Sequence, residues 1–98
     1  METPKHRRQK PPWLQYLPYL QDFLKESCKP DPSRYIKCND LYRAYKASCS
    51  LYRCRIIGER IFDREVGHIF PTVERKRIRL EGIRTMVYLG LASTRQPS

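Results

Sequence analysis

The sequence predicts an α+β domain, with three helices and a small antiparallel sheet that ends in a C-terminal β-hairpin. Three observations predict it. Apolar and basic residues alternate with a period of two on either side of Glu81 and Gly82, the mark of two paired strands around a tight turn. Upstream, three segments repeat their apolar residues at helical spacing. Proline and glycine signals separate those segments closely enough for one domain in 98 residues.

Trp13, Leu14 and Leu17 lead into Pro18, which suits the first turn of a helix because its missing N–H has no partner there anyway. Leu20, Phe23 and Leu24 continue the apolar stripe to about Ser27, and Lys29, Pro30, Asp31 and Pro32 stop it. Tyr35 to Cys38 is expected to form one short strand. Asn39 is expected to cap a second helix with Leu41, Ala44, Tyr45, Ser48 and Cys49 inward and Arg43 and Lys46 outward. After a connector from Ser50 to Ile57, Gly58 caps a third helix from Glu59 to about Phe70. That helix turns Phe62, Val66, Ile69 and Phe70 inward and Arg60, Arg64 and His68 outward, and Pro71 ends it.

In the hairpin, pairing Leu80 with Ile83 puts Ile78, Leu80, Ile83, Val87 and Leu89 on one face, expected to meet the core. Arg75, Arg77, Arg79 and Arg84 share the other with Met86 and Tyr88. Arg79 then lies directly opposite Arg84, a like-charge pair that costs stability unless that face meets a polyanion. Three helices followed by such a hairpin describe a winged helix, with the segment around Ile36 as the third strand. Boundaries follow: a basic tail over 1–12, the winged-helix domain over 13–92 and a polar tail over 93–98.

Twenty Lys and Arg against ten Asp and Glu give a net charge of +10, which favours nucleic acid or an anionic surface as partner. No apolar run reaches the roughly 18 residues of a membrane span, and the N-terminus lacks the apolar stretch of a secretory signal, so a soluble intracellular protein is expected. Cys28, Cys38, Cys49 and Cys54 lack zinc-ligand spacing and are expected as reduced, mostly buried thiols. No metal, cofactor or small-molecule ligand is expected. Nor is catalysis, for the chain has no nucleophile elbow, no phosphate-cradling glycine loop and no carboxylate pair set by a motif. Lys5, His6, Arg7, Arg8 and Lys10 suit a disordered end, a nuclear-import signal or a basic arm along phosphates.

From about Phe23 to Leu91 the chain resembles the DNA-binding domain of the regulatory factor X (RFX) family. The likeness is carried by Leu41, Tyr42, Tyr45 and Cys49 in the second helix, and by Phe62, Val66, Ile69 and Phe70 in the third. In the hairpin it is carried by Arg75, Lys76, Arg77, Gly82 and the closing Tyr88, Leu89, Gly90, Leu91. Lys29 to Ser33 looks more like the RFX-type domain of AT-rich-interaction chromatin remodellers, and the C-terminal winged helix of phage-type primases is a weaker match. The resemblance implies a wing that enters the major groove and a third helix that touches the minor groove. By position, Lys76 and Arg77 match two basic residues of the family's wing, and Arg64 matches the basic residue of its third helix. Four positions depart: Glu74 stands for the first wing arginine, Thr85 for a lysine, Arg79 for a glycine and Glu81 for a second arginine.

The expected function is duplex DNA binding in transcription or chromatin regulation, in the nucleus. Arg60, Arg64, Arg75, Lys76, Arg77, Arg79 and Arg84 are the candidate contacts. Alternation turns the odd-numbered wing residues outward together and sends Lys76 to the core side, against the family's use of Lys76. Tyr88, beside the arginines, is expected to lie against a phosphate, and the other tyrosines to pack. The alternative is a protein-interaction module in a nuclear complex, using the wing's Tyr and Met or an apolar patch of Trp13, Leu14 and Leu17.

Overall fold

Residues 11–94 are described by the computed structural model. A short 3-10 turn, Pro12–Tyr16, leads into helix α1, Leu17–Ser27. Strand β1, Cys28–Lys37, follows at once, then helix α2, Cys38–Tyr52, and helix α3, Glu59–Ile69. The hairpin is β2, Glu74–Leu80, and β3, Ile83–Ser93. The antiparallel sheet has the order β1-β3-β2, so β3 is central and both neighbours are edges. This is the winged-helix arrangement of an α+β domain. The basic segment Lys5 to Lys10 and the end of the polar tail lie outside the described residues.

Pro18 occupies the first turn of α1 and Gly58 is the N-cap of α3, as the sequence predicts. Two expectations need correction. Asn39 does not cap α2; the helix begins at Cys38 with Lys37 at the cap, and Asn39 lies in its first turn. Asp40 in that same turn complements the helix dipole. The segment Lys29 to Pro32 ends α1 but is itself part of a strand. Prolines are tolerated there because β1 is an edge and its ladder breaks between Pro30 and Tyr35. The break is a small loop held by Asp31, whose Oδ1 accepts from the Ser33 amide at 3.0 Å and its hydroxyl at 2.7 Å. These bonds, the side-chain one first, lower the Asp31 pKa.

Leu20, Phe23 and Leu24 from α1, Leu41, Tyr45 and Cys49 from α2 and Phe62 and Val66 from α3 build the core. The Tyr45 ring lies 5.7 Å from Phe23 and 5.2 Å from Phe62, in the tilted geometries aromatic pairs favour. Ala44, placed on the inner face by spacing, is exposed. The connector before α3 is fixed by two phenols. Tyr42 donates to the Ile57 carbonyl at 2.8 Å, and the Ile57 amide donates to Tyr45 at 3.0 Å. Cys28, Cys38 and Cys49 are buried free thiols and Cys54 is half-buried. Burial pushes the Cys28 thiol up to about 12. Trp13 and Leu17 pack against the core, so the N-terminal apolar patch is largely closed.

Candidate nucleic-acid interface

The wing register is the one alternation predicts: Leu80 pairs with Ile83, Arg79 with Arg84, Arg77 with Met86 and Arg75 with Tyr88. Glu81 and Gly82 both have positive φ, 52° and 80°, the mark of a type I′ turn whose twist matches the strands it joins.

The orientation of that hairpin reverses the expectation. The helices pack against the face of Met86 and Tyr88, together with Ile36 of β1, while Ile78, Leu80, Ile83 and Leu89 lie on the face away from them. Gly90 explains how Leu91 still joins the core. Its φ of 87° breaks the alternation, so Tyr88 and Leu91 both turn inward. Val87, on the far side of the sheet, is flanked by Lys37 on β1 and Lys76 on β2. It is nonetheless fully buried, and lysine stems suit such cover. The five aliphatic residues pointed to the wrong face because alternation sorts side chains into two sets without saying on which side the helices pack, and β1 pairs with β3 only as far as Val87. Beyond it the hairpin projects as two strands, and its aliphatic tip has no helix to pack on.

Tyr88 is therefore buried, at 2% exposure, and does not lie open beside the arginines. Its hydroxyl donates to Asp63 of α3, and Arg75 Nε stands 3.2 Å from the other oxygen of that carboxylate. The buried Cys38 thiol lies beside Tyr88 and Arg75, and burial raises its pKa. Burial, then the bond to Asp63, raise the Tyr88 pKa. Both the phosphate contact at Tyr88 and the apolar patch built on Tyr88 and Met86 are thus overturned, since these residues fasten the wing to the helices. Asp63 lies between Arg60 and Arg64 in the chain. It serves Arg75 and Tyr88 instead, a role no local spacing signals.

The candidate contacts fall into four groups. Arg75 is exposed but held at the wing base by Asp63. Arg77, Arg79 and Arg84 are exposed further out on the same face, and no carboxylate of the described residues comes within 4.0 Å of them. Arg60 and Arg64 are exposed on α3, equally without a carboxylate partner among the described residues. At 3.6 residues per turn they stand about 60° and about 100° around the helix from Asp63, on the flank next to the one that meets the wing. Lys76 is exposed on the opposite wing face, so it shares no surface with Arg77. His68 is exposed and stands 3.3 Å from the buried Glu65.

A family model for the RFX DNA-binding domain matches residues 18–95. The chain belongs to the RFX DNA-binding domain family. No curated protein matches it in sequence. The RFX domain is a DNA-binding module and not an enzyme family, so DNA is the partner of this chain. Among the described residues of this RFX domain, no group of three His, Cys, Asp or Glu is placed to hold a metal, and no helix is long and apolar enough to cross a membrane.

Proposed function

We propose that this RFX domain grips duplex DNA with its wing and third helix, in transcription or chromatin regulation within the nucleus. One observation carries the reading: Arg77, Arg79 and Arg84 share an exposed wing face, and Arg79 directly opposes Arg84 without a carboxylate nearby. Such repulsion is relieved when phosphates or guanine O6 and N7 accept from the guanidiniums. Arg60 and Arg64 extend the basic surface onto α3, where the family resemblance implies minor-groove contact. Lys76, on the other wing face, suits a phosphate on the opposite groove wall. Arg75 acts as the joint between the two elements through Asp63.

Titrating a fluorescent random-sequence duplex at several salt concentrations tests this. About six phosphate contacts release enough counterions for a log–log slope of roughly −5. Arg77→Ala or Arg79→Ala weakens binding by about 1–3 kcal/mol if the residue reads a base bidentately. A triple Arg77/Arg79/Arg84→Ala change that leaves both affinity and slope untouched would overturn the wing reading.

A second reading, docking of a protein partner within a nuclear complex, is favoured by one patch. Leu51 and Tyr52 at the end of α2 are 80% and 69% exposed, and Ile56 follows in the connector. Replacing Leu51 and Tyr52 by Ser would then leave DNA affinity unchanged while abolishing partner docking.

A further inference from the structure

Opposite its arginines the wing carries an apolar face whose outer end no helix covers. Leu80 and Ile83 are the closing pair of the hairpin, and neither belongs to the core. Ile83 is 68% exposed. Beside it a cleft of about 430 Å³ opens between the wing tip and the first turn of α2, lined in part by Lys37, Asn39, Arg43 and Thr85. Asp40 and Glu81 also line this cleft and balance Lys37 and Arg43, whereas across the ribbon the apolar tip stands one residue from the opposed Arg79 and Arg84.

We infer that Ile83, with Leu80 beside it, is a specificity-determining contact for the 5-methyl groups of thymine in the major groove. The inference rests on the wing-first reading above. Two strands about 4.8 Å apart make a ribbon that a groove about 12 Å wide admits. On the floor of that groove the base edges present hydrogen-bond donors and acceptors, with one apolar exception, the thymine methyl. An isoleucine pressed against an amino or carbonyl group leaves that group dry and unpaired, which is costly, whereas against a methyl it removes apolar surface from water. The hairpin thus offers two chemistries from two faces, guanidinium for acceptors and aliphatic carbon for thymine.

One random-sequence duplex pool is made twice, with thymine and with uracil, which differ only in the methyl. Each is titrated at a single salt concentration with the unaltered chain and with Ile83→Ala, Ile83→Val and Arg79→Ala, all checked for folding by circular dichroism. The uracil pool is expected to bind about fourfold more weakly for each methyl buried. Ile83→Ala erases the preference, Ile83→Val keeps most of it, and Arg79→Ala weakens both pools alike. Equal affinity of the unaltered chain for the two pools overturns the thymine contact. If Arg79→Ala still weakens both, the wing reading survives and the apolar tip falls to a protein surface; if it too is silent, the wing reading fails as well. A thymine preference undiminished in Ile83→Ala overturns the assignment to this residue.

Discussion

At Asp63 one carboxylate receives the buried Tyr88 hydroxyl and the Arg75 guanidinium, so a single side chain of α3 fixes where the wing begins. Replacing it by Ala strands a buried hydroxyl and releases Arg75, and the expected loss is about 1–3 kcal/mol in urea unfolding. Tyr88→Phe, which removes the donor as well as its need, costs about 1 kcal/mol. The thiols give a pH signature. The unfolded chain releases the Cys28 proton near 9.0, whereas the folded chain keeps it to about 12. Over that window the folded state binds more protons, so stability is complete below pH 9 and falls as the pH rises. Unfolding at stepped pH should show this slope, and Cys28→Ala should flatten it. The arginines were legible in the sequence because charge and alternation are local. The partner of Arg75 was not, because Asp63 lies between Arg60 and Arg64 in the chain and only folding brings it under the hairpin.

Among the elements, the hairpin shows what local pattern can and cannot specify. Its register could be read from alternation around Glu81 and Gly82, because a slip by one residue would exchange every side chain between faces. Its facing could not, since that depends on which side of the sheet the helices pack against. β1 itself was half hidden by Pro30 and Pro32, residues an edge strand admits and a central one refuses. The turn carries a correctable flaw. Glu81 holds a φ of 52°, a region that favours Asn and Gly. Glu81→Asn should raise stability by about 1 kcal/mol, read as a higher melting temperature. Gly90→Ala should act in the opposite sense by a similar amount. Its φ of 87° strains any side chain, although the added carbon would meet the Thr72 carbonyl oxygen only at an ordinary 3.7 Å.

For the molecule as a whole, a net charge of +10 sets how DNA is held and how the hold responds to salt. Deleting residues 1–10 removes Lys5, Arg7, Arg8 and Lys10. If they lie along phosphates, the salt slope becomes shallower by up to about 0.9 for each phosphate set free, while the melting temperature stays where it was. The order of helices and hairpin, and hence the winged helix, was legible because each element carried its own period and its own stop signal. The joint between wing and helices was not, because it is a polar network of Asp63, Tyr88 and Arg75, with Cys38 beside it, gathered from four elements.

The outer margin of β2 has no neighbour, yet four of its seven residues are cationic. Such a margin is a template on which a second copy could add itself strand to strand, and rows of like charge are what discourage it. The cationic row proposed to meet DNA would therefore also oppose pairing between copies. At about 1 M salt charge reaches only about 3 Å, and that guard lapses. Brine strong enough to strip the domain from its duplex is also the medium in which it should clump most readily.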